Sequence, residues 1–420
     1  MTAPHPVLAG IPVDFILFAI TLAGVALFHH HTLRVAVLGL VTITLYKLGF
    51  SPFATGPGLA GLFAHLHHEW VTVANLLGLL LGFALLSRHF EESQVPAILP
   101  RFLPDDWKGG FVMLLLVFVL SSFLDNIAAA MIGGTMATVL YKGRLHVGFL
   151  AAIVAASNAG GAGSVVGDTT TTMMWIAGVP PQMVFDAYVA AVPAMLFFGV
   201  IAARQQHAFQ PITRDAPAGI HVKWARLAIV AVILLFAIGA NVYFNLRAPE
   251  VLNTLPVIGA AVWVAILLTS PWRRPDWSVL PSAARGSVFL LSLVLCASMM
   301  PVEELPAASW PSALGLGFVS AVFDNIPLTA LALRQGGYDW GFLAYAVGFG
   351  GSMIWFGSSA GVALASMFPQ VRSVGAWLKG GWHVAVGYVL GFSILLATLG
   401  WHADPPHKRA PAAPSTTAVQ

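Results

Sequence analysis

Long apolar stretches alternate with short polar segments along nearly the whole chain. Runs of about 20 apolar residues, the length that crosses a bilayer as an α-helix, recur in both halves of the 420-residue sequence. This pattern predicts an all-α polytopic membrane protein. The predicted spans lie near 9–28, 33–50, 71–87, 148–176, 183–203, 227–244, 254–270, 286–301, 341–367 and 380–400.

The composition agrees with this pattern and excludes several function classes. Charged residues make up 9% of the chain, whereas soluble domains carry about 25%. The single cysteine, Cys296, excludes an internal disulfide and a cysteine-based metal cluster. The sequence contains no Gly-Lys dipeptide and so no Walker A loop for ATP. With a net charge of +3 and no nucleophile placed beside a base, we expect no nucleic-acid partner, no enzymatic activity, no cofactor and no resident metal.

Two Asp-Asn pairs lie inside apolar stretches at matching places in the two halves. They are Asp125-Asn126 and Asp324-Asn325, and an isoleucine follows each pair. An ionised Asp near the bilayer centre costs about 2.5–3.5 kcal/mol on insertion scales, and such carboxylates usually mark ion or proton paths. The alternative is a structural role, since Asp and Asn often cap helix N-termini. All four residues are therefore candidates for ion or proton binding.

The stretch around the first pair is too long for one straight span. Residues 109–141 are mostly apolar, and a 33-residue helix would be roughly 50 Å long, whereas the hydrocarbon core is about 30 Å thick. We therefore predict a re-entrant helical hairpin with Asp125 and Asn126 at its tip, because broken backbone is tolerated in a membrane only against protein or a wet cavity. The shorter stretch 311–333 would also fit one straight span, and its hairpin is predicted by analogy.

Basic residues predict the topology. With the 204–226 linker in the cytoplasm, the inner ends hold 15 of the 20 Lys and Arg residues, as the positive-inside rule expects. Both termini are then periplasmic, and each half crosses the membrane five times, which makes the halves inverted repeats. We predict a first repeat at 1–203, a second at 227–402 and a disordered tail at 403–420. The five basic residues on the outer side are Lys47, Arg247, Arg334, Lys408 and Arg409.

A segment rich in glycine and hydroxyl residues predicts one broken helix per half. Glycine disfavours a helix interior by about 1 kcal/mol, and an unwound membrane helix offers carbonyl oxygens to a cation such as Na⁺. The two segments share a Gly-Ser-x-x-Gly spacing, which would equate Gly163 with Gly357. Asp168 would add a carboxylate to the first segment, whereas Val362 follows Gly361 in the second, which has no acid. Close helix packing through small residues is the alternative for both segments. The first segment supplies Asn158, Gly161, Gly163, Ser164, Gly167, Thr169 and Thr170, and the second supplies Gly357, Ser358 and Gly361.

For other polar residues, a position in water or at the membrane interface explains their place in the sequence better than ion binding does. Asp14 and Asp186 lie near predicted span ends, and we expect them to be solvated or interfacial. The cluster His65, His67, His68 and Glu69 resembles a metal site by residue type, but its place at a span boundary favours a hydrated interfacial cluster. The same prediction applies to residues 29–31.

These motifs resemble the NhaD-type sodium/proton antiporters, within the superfamily that includes citrate, dicarboxylate and arsenite carriers. The run Gly167 to Thr170, followed by Met174-Trp175, and the two Asp-Asn-Ile motifs are closer to the antiporters, since dicarboxylate carriers tend to have Ser-Asn-Thr there. The resemblance implies a homodimer, two opposed hairpins, an elevator-like motion, and a site lined by both hairpin tips and both broken helices. The matching stretches are 120–130, 158–175, 320–330 and 350–363.

The sequence therefore predicts a secondary transporter of the inner membrane that exchanges a monovalent cation, with Na⁺ favoured, for H⁺. The alternative is a Na⁺- or H⁺-coupled transporter of citrate or another organic anion. That function would require cationic or helix N-terminal groups facing the substrate, and the motif stretches carry no Lys or Arg. A non-transporting membrane scaffold would leave the two buried acids unexplained.

Overall fold

The computed structural model describes residues 6–28, 31–98, 103–213 and 221–404. The predictions for residues 29 and 30, for part of the linker and for the tail from residue 405 lie outside the described residues. A short antiparallel ribbon, β1 (Val7–Leu8) and β2 (Ile11–Pro12), precedes the first helix.

Both halves of the described chain contain the same order of long helices and helix pairs. The first half contains α1 (Val13–Leu27), α2 (Thr32–Gly49), α3 (Gly58–Glu92), α4 (Val95–Ile98), α5 (Trp107–Ser121), α6 (Asn126–Leu140), α7 (Val147–Ala162), α8 (Thr169–Ile176), α9 (Pro181–Phe185) and α10 (Ala187–Phe209). The second half contains α11 (Trp224–Arg247), α12 (Pro249–Thr254), α13 (Val257–Thr269), α14 (Leu280–Ser298), α15 (Trp310–Ser320), α16 (Asn325–Gln335), α17 (Trp340–Gly350), α18 (Ser359–Met367), α19 (Val374–Gly380) and α20 (Trp382–Thr398).

Several of these helices can cross a membrane, which confirms the predicted all-α polytopic class. By length and composition, five described helices qualify alone, and α19 with α20, which are bent by 61°, would make a sixth if the pair is one span. Shorter apolar helices, among them α7, α13 and α17, lie in other predicted spans, and α5 and α6 lie in the predicted hairpin. The five long helices are α2 (Thr32–Gly49), α3 (Gly58–Glu92), α9 with α10 (Pro181–Phe209), most of α11 (Trp224–Phe244), and α14 with the helical turn before it (Trp277–Ser298).

The helices form two bundles. In the first, which we call the scaffold bundle, α1 packs on α2, α11 packs on α13, and α3 contacts α11, α13 and α14. In the second, the core bundle, α7 and α17 lie at the centre, and α5, α6, α10, α15, α18 and α20 surround them. All residues of α17 are buried, as are nearly all of α7. The bundles meet where α14 packs on α16 and α3 on α8.

Four helix breaks lie at the motifs that the sequence singled out. Two hairpin turns separate α5 from α6 and α15 from α16, and two unwound segments separate α7 from α8 and α17 from α18. Glycine permits the close approach at two of these segments. A Cβ on Gly167 would overlap the carbonyl oxygen of Ser121, and a Cβ on Gly357 would lie 2.5 Å from that of Ala321. The unwound segments therefore pack directly against the hairpin turns.

The helix α3 is longer than the predicted span near 71–87. It begins at Gly58 and contains 35 residues, which corresponds to roughly 52 Å at 1.5 Å per residue. His65 lies inside this helix and is 2% exposed, with Nε2 2.9 Å from Ser298 Oγ. The prediction of a hydrated cluster is therefore wrong for His65, because the helix continues through the residues that were taken as its boundary. None of the described residues forms a cluster that could hold a metal ion.

The prediction that Asp14 is solvated or interfacial is also wrong. Asp14 is fully buried, and it accepts a hydrogen bond of 3.0 Å from Lys47 Nζ and one of 3.1 Å from Ser51 Oγ. A buried charge is tolerated when it is paired and hydrogen-bonded, and α2 brings that partner from 33 positions away. Asp186 is exposed as predicted.

Candidate ion-binding site

The first hairpin turn carries two polar side chains, Asp125 and Asn126, that the sequence analysis singled out. Asp125 caps α6 by accepting a hydrogen bond of 2.8 Å from the backbone N–H of Ile127. Asn126 is 5% exposed. Its Nδ2 donates to Asn158 Oδ1 at 3.1 Å and lies 3.4 Å from Asp168 Oδ2. The predicted residues of the hairpin and of the first broken helix therefore meet.

Asp168 lies at the break between α7 and α8. It is 2% exposed, and its Oδ1 caps α8 by accepting a hydrogen bond of 3.0 Å from the N–H of Thr170. The other oxygen, Oδ2, faces Asn126. Oδ1 is therefore occupied by the hydrogen bond that caps α8, and Oδ2 points toward the centre of the site.

A small cavity connects the two acids of the first half. Asp125, Asp168 and Thr169 line one side of it, together with neighbouring residues of the α7–α8 break and α8. The opposite side is an apolar face of the scaffold helix α3. That face is formed by Leu76, Leu79, Leu80 and Phe83. The acids thus lie where the core bundle meets the scaffold bundle.

The second half repeats this arrangement with fewer charges. Asp324 caps α16 by accepting a hydrogen bond of 3.0 Å from the N–H of Ile326. Ser359 Oγ donates to Asp324 Oδ2 at 3.0 Å. Asn325 is buried, and its Nδ2 has no hydrogen-bond partner among the described residues. Ser358 caps α18 by accepting a hydrogen bond from Gly361 N–H at 3.2 Å.

Asn158 joins the two halves. Its Nδ2 donates to Ser352 Oγ at 2.9 Å and to Ser358 Oγ at 3.0 Å, while its Oδ1 accepts from Asn126. One side chain therefore links the first hairpin to the second unwound segment. The sequence analysis missed Ser352 and Ser359, since single serines are common in membrane helices; their nearness to the Gly357-Ser358 motif was the available signal.

The structure also corrects how the two unwound segments correspond. The shared Gly-Ser-x-x-Gly spacing equated Gly163 with Gly357. By position in the fold, however, Gly167 and Asp168 correspond to Gly357 and Ser358, because each pair ends at the residue that caps the next helix. The position equivalent to Asp168 is therefore Ser358 rather than Val362.

Several residues that were predicted to support the ion-binding site pack against neighbouring segments and do not face the acids. A Cβ on Gly163 would lie 2.5 Å from the ring of Tyr188, and a Cβ on Gly361 would overlap the carbonyl oxygen of Trp355. Ser164 donates from its hydroxyl to the carbonyl oxygen of Ser122. Gly161 lies under the unwound segment, where a Cβ would be 3.1 Å from Asp168 Cβ.

The charged side chains of the site are all acidic. Asp125, Asp168 and Asp324 form no ion pair with Lys or Arg among the described residues. Beside the backbone N–H donors and the apolar face of α3, the nearby polar side chains are amides and hydroxyls. Oxygen atoms at unwound segments and helix ends are the ligands that transporters use for Na⁺ or H⁺. The geometry is suited to a small cation or to protons, and it offers no basic side chain to a carboxylate substrate.

No family model matches the chain, but several curated proteins do. It is 26% identical over 384 residues to "Sodium/proton antiporter 1" of Arabidopsis thaliana, covering 80% of this chain and 62% of that protein. It is 26% identical over 384 residues to "Na(+)/H(+) antiporter NhaD" of Vibrio parahaemolyticus, covering 77% of this chain and 90% of that one. The NhaD protein of Halomonas elongata is 24% identical over 327 residues, with 66% and 64% covered. The chain thus spans less than two thirds of the length of the first plant relative. These matches confirm the resemblance seen in the motifs: the chain is related to the NhaD-type sodium/proton antiporters.

Proposed function

We propose that this protein is a secondary transporter, not an enzyme, and that it exchanges Na⁺ for H⁺ across the inner membrane. The observation that carries the proposal is that Asp125, Asp168 and Asp324 each cap a helix at one of the breaks without an ion pair to Lys or Arg among the described residues, and that Asp125 and Asp168 line one cavity. An ionised carboxylate shielded from water needs a cation or a proton. The names of the relatives, all sodium/proton antiporters, support Na⁺ as the cation.

Exchange follows if both ions use the same oxygens. Asp168 Oδ2 is the oxygen that does not cap α8 and, among the described residues, accepts only the 3.4 Å hydrogen bond from Asn126, and Asp125 lines the same cavity. A Na⁺ ion bound there displaces protons, and protons bound there displace Na⁺. When the site faces the two sides of the membrane alternately, each side loads the ion that is in excess, and the two fluxes become coupled. The amide of Asn126 donates to Asp168, the hydroxyl of Ser359 donates to Asp324, and backbone N–H groups at the three helix starts hold one oxygen of each acid.

Reciprocal contacts support two inverted repeats with five crossings, one re-entrant hairpin and one broken helix each. In the core bundle, α6 packs on α18 of the other half, and α16 packs on α8. In the scaffold bundle, α2 packs on α14, and α3 packs on α13. Exchange of equivalent helices between halves is what a pseudo-two-fold axis produces. We propose boundaries at 1–203 and 227–402, with 204–226 as the linker.

Two groups of ion pairs along α3 support the predicted division of charges between the membrane faces. In the first half of the helix, Glu69 pairs with Arg334 at 2.9 Å. At its C-terminal end, Arg226 pairs with Glu92 at 2.7 Å and Arg88 with Asp276 at 3.0 Å. Outside the spans, hydrogen bonds from Ser278 and Arg88 hold the pKa of Asp276 below its usual range.

We propose that the Arg226 end is cytoplasmic and the Arg334 end periplasmic, because the predicted topology places these arginines on those sides. The homodimer implied by the resemblance stays a prediction.

The orientation can be tested on the C-terminal tail. Ser415 lies outside the described residues, and Cys296 is buried. We expect Ser415→Cys, in a Cys296→Ala background, to react with a membrane-impermeant thiol reagent added to intact cells whose outer membrane has been permeabilised. Labelling that requires lysis of the inner membrane would place the tail in the cytoplasm and reverse the topology.

The Glu69–Arg334 pair predicts a contact that opens during transport. It joins scaffold helix α3 to α16, the helix that Asp324 caps. Alternating access requires one bundle to move against the other. We therefore expect a thiol crosslinker between Glu69→Cys and Arg334→Cys, in the Cys296→Ala background, to stop exchange and a reducible linker to restore it after reduction. Full exchange by the crosslinked protein would mean that the two helices move together. The single-cysteine variants treated alike are the controls.

The function itself is tested in everted membrane vesicles from cells that lack their own sodium/proton antiporters. After respiration has acidified the vesicle lumen, we expect added Na⁺ to dissipate the pH gradient only when this protein is present. Li⁺, K⁺ and citrate are added in parallel. A response to citrate in place of Na⁺ would contradict the proposal and favour an organic-anion transporter, for which the described site offers helix N-termini but no Lys or Arg.

A further inference from the structure

The residue of α17 that lies next to Asp168 is Gly348, which has no side chain. A Cβ built on Gly348 would lie 3.5 Å from Asp168 Oδ2 and 3.2 Å from Ala162 Cβ. Gly348 is buried at the contact between α7 and α17. Asp168 Oδ2 accepts from Asn126 on one side, and its side toward α17 carries no side chain only because residue 348 is glycine.

The equivalent position in the other half is filled. Gly160 and Gly350 correspond, since a Cβ on each would crowd the carbonyl oxygen of Phe118 or Gly317, the equivalent residues of α5 and α15. Counting back two residues pairs Asn158 with Gly348. The amide of Asn158 reaches Ser358, which is the counterpart of Asp168. Ser358 is thus covered by an amide from α7, whereas Asp168 receives no side chain from the equivalent position on α17 and, among the described residues, accepts a side-chain amide only from Asn126, at 3.4 Å.

The difference between Asn158 and Gly348 has an electrostatic consequence. An asparagine at position 348 would direct an amide to Asp168, much as Asn158 does to Ser358, and an N–H donor there would take the place of a cation. With glycine, the oxygen keeps a direction from which a cation can approach. A cation with longer metal–oxygen bonds needs more of that space than a smaller one.

We infer that Gly348 is a specificity-determining position: its missing side chain leaves Asp168 Oδ2 open to the transported cation, and the size of the opening sets which monovalent cation is accepted. The inference rests on the proposed cation exchange and adds a residue to it. The cation would then bind at the first unwound segment only, and not at two sites related by the pseudo-two-fold axis, because the opening exists beside Asp168 and not beside Ser358.

Gly348→Ala tests the inference. A methyl group there would narrow the approach to Asp168, so we expect the Na⁺ concentration for half-maximal exchange to rise about tenfold, which corresponds to about 1.4 kcal/mol. Li⁺ is smaller and should be affected less, so the Na⁺/Li⁺ preference should shift toward Li⁺. The maximal rate should change little. Binding of radioactive Na⁺ to the purified protein gives a second readout that does not depend on exchange.

Two further variants separate cation binding from packing. Gly380→Ala is a control with matched crowding, since its Cβ would lie 3.1 Å from Gly148 N and 3.5 Å from Val147 Cβ, away from the acids. The double variant Ala162→Gly/Gly348→Ala removes the methyl that Gly348→Ala would crowd but keeps the new methyl beside Asp168. We expect Gly380→Ala to keep the wild-type preference and the double variant to keep the shifted one.

The outcomes are distinct. If wild-type protein exchanges Na⁺ and the double variant regains the wild-type Na⁺/Li⁺ preference, Gly348 serves helix packing alone and the inference is overturned. An equal loss for Na⁺ and Li⁺ in Gly348→Ala would also overturn it. If wild-type protein neither binds nor exchanges Na⁺ or Li⁺, the proposed function fails and the inference fails with it.

Discussion

Asp125→Asn and Asp324→Asn are each expected to abolish Na⁺/H⁺ exchange while the protein still folds. Asparagine is nearly isosteric and is a good N-cap, so it can still accept the hydrogen bonds from Ile127 and Ile326 that begin α6 and α16. Only the charge is lost, and with it the ability to hold a proton or balance a cation. The measurement is dissipation of the pH gradient in everted vesicles, normalised to the amount of protein in the membrane.

A matched control is available in the same hairpin. Asp106 caps α5 by accepting a hydrogen bond of 2.9 Å from the N–H of Lys108 and is exposed. Asp106→Asn makes the same chemical change at a helix N-terminus outside the site, and we expect it to leave exchange intact. Normal exchange by well-expressed Asp125→Asn and Asp324→Asn would reduce both acids to helix caps and contradict the proposed site.

Asp168→Asn is expected to raise the Na⁺ concentration for half-maximal exchange by about tenfold or more, with about 1.4 kcal/mol for each factor of ten. Asparagine can still cap α8 through the Thr170 N–H, but the charge of the carboxylate is lost. Thr169→Val should act in the same direction and less strongly, because Thr169 lines the cavity with a neutral hydroxyl and interactions with charged groups are roughly twice as strong as neutral ones.

Measurement at two pH values sharpens this prediction. If Na⁺ and protons compete for Asp168, the wild-type requirement for Na⁺ rises as the pH falls, and Asp168→Asn should weaken that dependence. Thr138→Val on α6, where the hydroxyl donates only to the carbonyl oxygen of Gly134, is the control for the threonine change. An unchanged half-maximal concentration in Asp168→Asn would remove α8 from the cation site and favour the organic-anion alternative.

The acids of the site could be predicted from sequence because their cost in a membrane is large. A charge inside an apolar stretch demands a function or a partner, which made Asp125 and Asp324 candidates, whereas the glycine- and hydroxyl-rich segment made Asp168 one. The breaks at the motifs could be predicted for a similar reason, since a helix through residues 109–141 would be too long for the bilayer. The sidedness and the repeat boundaries stay predictions.

The small residues of the site could not be predicted in the same way. Gly348 is one of 41 glycines, and only its position opposite Asp168 distinguishes it. Ser352 and Ser359 carry no charge, so apolar surroundings give them no conspicuous signal. The correspondence between halves was misplaced by four residues because a Gly-Ser-x-x-Gly spacing recurs easily in a glycine-rich chain, whereas the helix that Asp168 or Ser358 caps is visible only in the fold.

The buried pair of Asp14 and Lys47 was missed for a different reason. Each residue lies near the end of a predicted span, where water is the default partner. The burial arises from packing of α1, α2 and the segment after α2, and such long-range packing leaves no local pattern. Lys47 also lies 5.6 Å from the ring centre of Phe53, a cation–π contact that helps a desolvated ammonium group.

The most direct test of coupled exchange is the measurement of both fluxes in proteoliposomes that contain only the purified protein. An outward proton gradient is imposed, and uptake of radioactive Na⁺ is followed together with the internal pH. Exchange predicts that Na⁺ accumulates inside while protons leave, that both fluxes stop in Asp125→Asn, and that an inward Na⁺ gradient alone drives protons out. Na⁺ uptake that neither responds to the proton gradient nor moves protons would contradict the proposed function.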